Sequence, residues 1–425
     1  MKKVLIITYY WPPAGGPGVQ RVLKIVKYLA QFGWQPVILT VENPVSSAYD
    51  DTLKAGIPEA CIVYKTKTAE PFSLYRKFMG KKSAVIPKDA ISQKQKLSLK
   101  EKISRWIRAN IFIPDARVGW VKYNEKEGLK IIEKEKPQII FSTSPPHSLQ
   151  IGAKRLANKS GLPWIADLRD PWLDAYWQID LHNAVVRKLN GYLEKNTLKR
   201  ASEITTVSEG LADLYAKRIG VDSHCIFNGF DKLNKETQVS YRFTILFIGN
   251  LSKYQSPEPL FSAVSMLSDG IKEDIDIVFI GKVFDDFYAM RNKFQGVNII
   301  FREYMAFKDL ESYARSVSLL LLIIHKISYT KDYMTAKIFD YLSFRKPVLA
   351  LGEKGSAVDL LLKETGSGQL FEYEKSDEMA DYISKVYRQW KTEKTIVLNE
   401  YEKLEIYSSK TNVEKLTKIF ERLTH

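Results

Sequence analysis

Short, nearly continuous apolar runs alternate along the chain with longer segments in which apolar residues recur every three or four positions. Runs of the first kind are typical of buried parallel β-strands, and segments of the second kind are typical of helices that cover a sheet. In the first half the pattern predicts strands at residues 4–10, 35–40, 137–142, 164–167 and 203–207, and helices at residues 19–32, 148–160, 185–200 and 209–219. This alternation predicts a parallel sheet with helices on both faces.

The same pattern begins again after a polar stretch at residues 232–241, which we interpret as a linker. The second series predicts strands at residues 243–249, 275–280, 297–301, 319–324 and 348–351, and helices at residues 257–267, 310–316, 336–344 and from 379 onward. A helical apolar stripe at 412–423 predicts a closing helix.

The expected fold is therefore α/β, with two Rossmann-like domains facing across a cleft. We place the domains at residues 1–236 and 237–400, with residues 401–425 forming a C-terminal helix that returns toward the first domain. Folds of this kind bind ligands at the carboxyl ends of their strands.

Length and composition agree with this organisation. The chain has 425 residues, of which 45% are apolar and 27% charged, and this suits two globular domains. Cys61 and Cys225 are far apart in sequence and form no metal or redox spacing, which favours a reducing cytoplasm. The N-terminal apolar run lacks a cleavage site, and the run at 319–324 is far below the roughly 20 residues that span a bilayer. We expect no signal peptide and no transmembrane anchor.

The net charge of +15 is unevenly distributed. Residues 72–108 carry eleven Lys or Arg against two acids, within a basic insertion at about 72–120. Around residues 97–113 the spacing suits a basic amphipathic helix that lies on an anionic membrane surface. A solvated insertion packed on its own domain explains the charge equally well. Nucleic acid is disfavoured because no reading motif accompanies the charge.

Two segments are candidates for ligand chemistry. Gly15 and Gly16 lie between the first predicted strand and its helix, where backbone can approach a ligand and helix N–H groups can face an anion. Lys337 and Asp340 are three residues apart on a predicted helix, so both project from one side. A cation for a diphosphate and a carboxylate for vicinal hydroxyls suit a nucleotide sugar. Spacing alone favours a tight strand-to-helix turn at the glycines and an exposed ion pair on the helix over these two binding roles.

The segment from 335 to 347, T-A-K-I-F-D-Y-L-S-F-R-K-P, resembles the P-x-K-x-F-E-Y-L-x-x-G-K-P element of group 1 glycosyltransferases, the retaining family 4. Further elements similar to that family follow one another along nearly the whole chain: G-G at 15, S-P-P-H at 144, D-L-R-D-P-W at 167, T-T-V-S at 205 and I-F-N-G-F-D at 226. The resemblance implies a GT-B fold, a nucleoside-diphosphate-sugar donor, retention at the anomeric carbon, and no cofactor or metal.

The resemblance also implies site residues. The donor-binding residues would be Gly15, Gly16, Gly249, Asn250, Lys253, Asp332, Thr335, Lys337 and Asp340. Asp332 and Asp340 have the spacing of a family pair of Glu residues. Asn250 stands where the family tends to have a cation, which leaves Lys253 as the nearest one.

On the acceptor side the resemblance implies Arg169 and Asp170. Lys337, His147 and Asp170 are the catalytic candidates, with His147 bonding the transferred sugar and Asp170 orienting the acceptor hydroxyl. Arg169 could instead fold back onto Asp167. Asp285 and Asp286 resemble the metal-binding acidic pair of another glycosyltransferase fold, but here we expect them in a surface loop.

The predicted function is transfer of a hexosyl group to a glycan or lipid-linked acceptor in bacterial surface polysaccharide synthesis, in the cytoplasm or peripherally at the inner face of the membrane. One alternative is a nucleotide-sugar epimerase of related fold, which needs no acceptor. Another is a non-enzymatic basic protein that binds a membrane surface or nucleic acid. The double α/β series and the Lys337 element favour the enzyme.

Overall fold

The computed structural model describes residues 1–46, 49–69, 99–175, 182–233, 238–303, 305, 307–326, 331–398 and 401–425. These residues form two compact units. The N-terminal unit comprises the described residues up to Asn228 together with Ser409–His425, and the C-terminal unit comprises those within Gly229–Ser408.

The N-terminal unit is a seven-stranded, all-parallel sheet with the order β3-β2-β1-β4-β5-β6-β7. Its strands are β1 Lys2–Thr8, β2 Trp34–Val41, β3 Ile62–Thr66, β4 Ile139–Ser144, β5 Trp164–Leu168, β6 Glu203–Thr206 and β7 Ser223–Cys225. Its first helices are α1 Pro17–Leu29, α2 Leu99–Asn110, α3 Val121–Glu135, α4 Ser148–Ser160, α5 Ala184–Leu198 and α6 Glu209–Ile219, with 3-10 turns at Ala30–Phe32, Asp51–Gly56 and Val118–Trp120.

The C-terminal unit is a six-stranded, all-parallel sheet with the order β10-β9-β8-β11-β12-β13. Its strands are β8 Phe243–Ile248, β9 Ile275–Ile280, β10 Asn298–Arg302, β11 Leu319–Ile323, β12 Val348–Leu351 and β13 Gly368–Phe371. Its helices are α7 Glu258–Ser265, α8 Asp269–Lys272, α9 Asp285–Met290, α10 Phe307–Arg315, α11 Lys337–Phe344, α12 Ala357–Thr365, α13 Ser376–Glu393 and α14 Tyr401–Glu405, with a 3-10 turn at Arg291–Lys293. The chain then returns to the N-terminal unit as α15, Ser409–Thr424.

Successive residues of the buried strands face opposite sides of each sheet, as the strand period of two requires. In the N-terminal unit Leu5 and Ile7 pack in the layer that holds α3, α4, α5 and α6. Val4 and Ile6 pack in the other layer, which holds α1 and α15. Because both faces are covered, the strands read as unbroken apolar runs, which is why the sequence pattern predicted them.

Each sheet has a point where the strand order reverses direction, and ligands of such folds bind there. In the N-terminal unit that point lies between β1 and β4, and in the C-terminal unit it lies between β8 and β11. The loops after these four strands are therefore the expected ligand-binding regions.

The predicted α/β class with two Rossmann-like units is confirmed, and most element boundaries differ by one to three residues from the prediction. The first strand is an example, because it runs over Lys2–Thr8 rather than 4–10. The pattern missed three edge strands: β3, which is half-buried, β7, which has three residues, and β13. It also missed the helices α3, whose apolar residues are sparse, α8, α9, α12 and α14.

Two boundaries differ from the expected domain limits. The units divide between Asn228 and Gly229, before the predicted linker at 232–241, and again between Ser408 and Ser409. Within that predicted linker, Ser240 already bonds through its N–H to the Lys394 carbonyl of the C-terminal unit, 2.9 Å away.

Part of the basic insertion lies outside the described residues, namely positions 70–98. The helix expected over 97–113 is present as α2, Leu99–Asn110. No helix among the described residues has both the length and the apolar character needed to cross a bilayer.

Candidate functional site

Gly249 follows β8 at the switch point of the C-terminal unit and has a φ of 110°. A Cβ built on it would lie 2.6 Å from Lys337 Nζ, so the lysine amine occupies space that only glycine leaves open. Gly281, with φ 125°, is equally constrained, because its Cβ would lie 2.6 Å from the Gly249 carbonyl oxygen. Two glycines thus shape the loop that receives Lys337.

Lys337 is the first residue of α11 and is half-buried. Its Nζ lies 4.7 Å from the ring centroid of Phe247, on β8. Tyr341, one turn further along α11, accepts a hydrogen bond from the Ile248 N–H (3.0 Å) and donates one to the Leu321 carbonyl (3.1 Å). This buried tyrosine fixes α11 to the ends of β8 and β11, and its burial raises the pKa of its own hydroxyl.

Asp340 is half-buried on α11, three residues after Lys337, so the two side chains leave the same side of the helix. The helix was predicted to begin at residue 336, but its first residue is Lys337. Thr335 belongs to the preceding turn, where its carbonyl accepts a hydrogen bond from the Ile338 N–H. Asp332 is exposed in an earlier turn, beside Lys331.

The loop after β8 also carries Asn250 and Lys253, which are both exposed. The amide of Gln255 holds this loop, because its Nε2 donates to the Ile323 carbonyl at 2.6 Å and its Oε1 accepts from Ser252. Lys253 Nζ lies 4.7 Å from the ring centroid of its neighbour Tyr254. Gly249 and Lys337 meet at the switch point, whereas Lys253 lies over an adjacent ring.

His325 was not singled out from the sequence. It follows β11 at the same switch point, is half-buried, and has its ring perpendicular to that of Tyr333 at 6.5 Å. Burial, and then the positive charge of Lys337, lowers the pKa of His325 to about 4. The imidazole is therefore neutral at pH 7, able both to donate and to accept a hydrogen bond. The sequence signal that could have identified His325 is its position just after the apolar run of β11, where side chains reach the ligand-binding edge of the sheet.

In the N-terminal unit, Gly15 and Gly16 lie between β1 and α1, as predicted. Gly16 has φ 106°, and its carbonyl accepts hydrogen bonds from the N–H groups of Val19 and Gln20 at the start of α1. The third glycine, Gly18, faces Arg169, because a Cβ there would lie 3.0 Å from Arg169 Nη2. The glycine-rich loop thus lies against the guanidinium.

Arg169 bonds to the end of β4, to the loop after it and, at 3.5 Å, to the Gly18 carbonyl at the start of α1. Its Nη2 donates to the Pro145 carbonyl at 2.7 Å, and its Nη1 donates to Thr143 Oγ1 at 3.2 Å. The hydrogen bonds of the guanidinium go to carbonyl and hydroxyl oxygens, while Asp167, the partner that the sequence left open, interacts with Arg169 through charge, which helps to lower the pKa of that carboxyl. Arg169 therefore fixes the loops of the switch point.

Asp167 bonds to Arg21 of α1, with Nη2–Oδ1 2.7 Å and Nε–Oδ2 3.0 Å. It also accepts from the hydroxyls of Thr143 and Thr205. Burial opposes ionisation, but Arg21 and these donors keep the pKa of Asp167 below its usual value. This fully buried ion pair joins α1 to the end of β5, next to the switch point.

His147 is buried at the start of α4, three residues after the end of β4, with Nδ1 3.1 Å from Ser144 Oγ. Its ring stacks on Trp172 with centroids 5.3 Å apart and planes 12° apart. Asp170 is half-buried and lies two residues before that tryptophan. The backbone N–H of Trp172 donates to the Tyr215 hydroxyl at 2.9 Å. His147 and the Asp170 loop are thus held together in the N-terminal unit.

Asp285 and Asp286 are exposed, as expected, but they form the first turn of α9 rather than a loop. No group of three or more metal-ligating side chains occurs among the described residues.

Comparisons with known proteins identify a family and several structures to which this chain is similar. Residues 89–232, about a third of the chain, match the sequence model of the family described as Glycosyltransferase Family 4. No curated protein matches the chain significantly. The sucrose-phosphate synthase of Thermosynechococcus elongatus superposes with a TM-score of 0.64 at 12% identity, over 100% of this chain and 99% of that chain.

Two further structures superpose similarly. HepE of Anabaena, solved in complex with UDP-glucose, gives a TM-score of 0.63 at 14% identity, over 99% of this chain and 100% of that chain. TarM of S. aureus gives 0.63 at 12% identity, over 99% of both chains. At these identities the likeness establishes the fold, which is GT-B.

The fold is that of GT-B glycosyltransferases, and residues 89–232 match the Glycosyltransferase Family 4 model, so both findings support a glycosyltransferase. Over residues 89–232 this match confirms the resemblance to the group 1 glycosyltransferases, and the Lys337 element lies outside the matched residues.

Proposed function

We propose that the chain transfers a sugar from a nucleoside-diphosphate-sugar to a hydroxyl of a glycan or lipid-linked acceptor, with retention at the anomeric carbon. One observation carries the donor half of this proposal, namely the position of the Lys337 amine at Gly249, at the switch point of the C-terminal sheet. A diphosphate requires positive charge and close backbone approach, which a lysine beside a glycine provides.

Asp340 extends the same site by one helical turn. A carboxylate there can accept two hydrogen bonds from vicinal ribose hydroxyls while Lys337 holds the diphosphate. Thr335, Asn250 and Asp332 lie in the adjoining loops and remain proposed donor contacts. The complex of HepE with UDP-glucose supports UDP-glucose as the first donor to test.

Departure of the nucleoside diphosphate builds negative charge on the β-phosphate oxygen. The Lys337 amine and the amino-terminal end of α11 would stabilise that charge in the place of a divalent cation. Neutral His325 can hydrogen-bond to a phosphate or sugar oxygen without adding charge. We further propose that the acceptor attacks on the face from which the phosphate leaves, and that the phosphate takes the acceptor proton.

The acceptor-side roles fall on the N-terminal unit. Since Arg169 is bonded to loop oxygens, we assign it a positioning role and keep Asp170 as the carboxylate that binds the acceptor hydroxyl. His147, anchored by Ser144 and Trp172, remains the proposed contact to the transferred sugar.

The cellular role that we propose is bacterial surface polysaccharide synthesis by a cytoplasmic enzyme that works peripherally at the membrane. The excess of basic residues supports this proposal, because lipid-linked acceptors lie at an anionic surface.

The test is calorimetry of the purified chain with UDP-, GDP- and ADP-sugars, followed by product analysis with the donor that binds. We expect one nucleotide to bind and its sugar to be transferred with retained anomeric configuration. Binding of none would contradict the donor site. A donor whose sugar is epimerised without any acceptor would contradict the transfer reaction.

A further inference from the structure

The outer face of α5 exposes three large apolar side chains. Val185, Leu189 and Tyr192 are 77%, 42% and 65% exposed, and their spacing of four and three residues places them on one side of the helix. The opposite side of α5 is anchored in the unit through buried Val186 and Leu198. Scattered apolar residues on a surface need no explanation, but a continuous stripe marks an interaction site.

The exposed charged residues of α5 itself are all basic, and one of them, Arg187, lies 3.8 Å from the Asp174 carboxylate of the preceding segment. Arg187, Lys188, Lys195 and, just beyond the helix, Lys199 are exposed. Glu194 is the one acidic residue in the sequence of α5, and it is buried and bonded to Tyr215 and Arg218. The exposed surface of α5 is therefore apolar and basic, without a compensating carboxylate from this helix.

Helix α2 extends this surface. Asn183, the N-cap of α5, donates its backbone N–H to Asn110 Oδ1 at the end of α2, at 2.9 Å. Ile103 and Trp106, one turn apart on α2, are 45% and 54% exposed. The sequence of α2 carries four basic residues and one acid. The two helices are joined at their ends, and both expose apolar side chains beside basic ones, Lys102 in the case of α2.

We propose that α5 and α2 form a docking face for an anionic lipid bilayer. The lysines and arginine bind headgroup phosphates, and the Val185, Leu189, Tyr192, Ile103 and Trp106 side chains enter the interface. Aliphatic groups such as Val185 and Leu189 gain from contact with hydrocarbon and gain little from a nucleic-acid backbone, whereas Trp and Tyr are the aromatic residues that favour the membrane interface. These features distinguish a lipid surface from a nucleic acid.

This inference deepens the proposed function by naming the surface through which the enzyme reaches a lipid-linked acceptor, and only that purpose rests on the proposed function. The sequence had indicated residues 72–108. Of these the structure describes only the part from residue 99 onward, and α5 lies outside them.

The experiment is co-sedimentation of the full chain with vesicles of phosphatidylglycerol and phosphatidylcholine in equal parts, and with vesicles of phosphatidylcholine alone. Two variants test the face, Lys188→Glu with Lys195→Glu, and Leu189→Ser with Tyr192→Ser. The matched control is Lys410→Glu with Lys415→Glu, which makes the same charge change on α15, in the opposite layer of the same unit.

We expect the wild-type chain to bind the anionic vesicles, to leave them as salt is raised, and not to bind neutral ones. The charge variant should reduce the partition coefficient by more than about tenfold, and the control should bind as wild type does. The apolar variant should also bind more weakly. All four substituted α5 positions are exposed, so unchanged melting temperatures verify that these variants fold.

Several results would overturn the docking face. These are wild-type binding by both α5 variants, equal binding to neutral vesicles, no vesicle binding, or a dimer that the α5 substitutions dissociate. Turnover on a soluble acceptor is measured in parallel and should be unchanged in the α5 variants. Vesicle binding without any glycosyl transfer would refute the proposed function and leave the docking face standing.

Discussion

The amine of Lys337 occupies the position that a side chain at Gly249 would fill. A Cβ on residue 249 would lie only 2.6 Å from Lys337 Nζ, which is too close for two non-bonded atoms. The φ of 110° at Gly249 independently favours glycine. Backbone shape and charge placement at this site therefore depend on one another.

Lys337→Ala is expected to reduce kcat by on the order of 100-fold or more, because the amine is proposed to stabilise charge that grows toward the transition state. Lys354→Ala, an exposed lysine of the same unit, is the matched control. Lys253→Ala should reduce kcat by a smaller factor than Lys337→Ala, since the Lys253 amine lies over the Tyr254 ring. Steady-state kinetics on folded protein decide the question, and near-wild-type turnover of the Lys337 variant would remove it from the site.

Gly249→Ala should weaken nucleotide binding by displacing the Lys337 amine. Gly296→Ala is its control, because Gly296 also has a positive φ, 79°, but has open space around a Cβ. Left-handed backbone costs a non-glycine residue roughly 1–2 kcal/mol, so both variants should lose stability. Only Gly249→Ala should raise the Kd measured by calorimetry. Equal affinities in the two variants would contradict the close approach.

Asp340→Ala is expected to weaken binding of the sugar nucleotide and of the free nucleoside diphosphate to the same extent, since the proposed contact is to the ribose. Loss of a hydrogen-bonded carboxylate corresponds to roughly 10–100-fold in Kd. Asp381→Ala, on the exposed side of α13, is the control. Unchanged nucleotide affinity would refute the ribose contact.

Activity is expected to persist in EDTA, because Lys337 and the end of α11 are proposed to stabilise the leaving diphosphate. Transfer assays before and after chelation and dialysis test this expectation. Loss of turnover that magnesium restores would show that a metal takes part.

Lys346, 2% exposed before β12, predicts a dependence of stability on pH. No acceptor among the described residues bonds its Nζ, and burial, then Arg345, lowers its pKa to about 8. Between about pH 8 and the unfolded value of 10.5 the unfolded chain binds more protons, so this contribution to stability rises with pH. The shift corresponds to roughly 3 kcal/mol.

Lys346→Met should therefore be more stable than wild type at pH 7, with the advantage shrinking as pH rises to about 10. Chemical unfolding across this range measures the difference, with exposed Lys354→Met as the control. A difference that does not change with pH would mean that Lys346 keeps its ordinary titration.

Most strands of the two sheets and the common side of Lys337 and Asp340 could be predicted because their signals are local. Leu319–Ile323 is a continuous apolar run, and the spacing of Lys337 and Asp340 fixes their common side once the segment is helical. The ion pair of Arg21 and Asp167 could not be predicted, because its partners are 146 residues apart and either one alone resembles a surface charge. For the same reason the sequence could not predict the hydrogen bonds of Arg169 to the Pro145 carbonyl and the Thr143 hydroxyl.

Helix α15 has a consequence for biosynthesis. Val413, Leu416 and Phe420 complete the layer over β1 and β4 that α1 begins, and Phe420 lies edge-on to Trp34 at 5.2 Å. During translation the ribosome makes the 180 residues Gly229–Ser408 before it makes this helix. The first unit must therefore leave the exit tunnel with one apolar layer incomplete and wait for the second unit to be synthesised. A nascent chain arrested in that interval would expose an apolar surface of the kind that chaperones recognise.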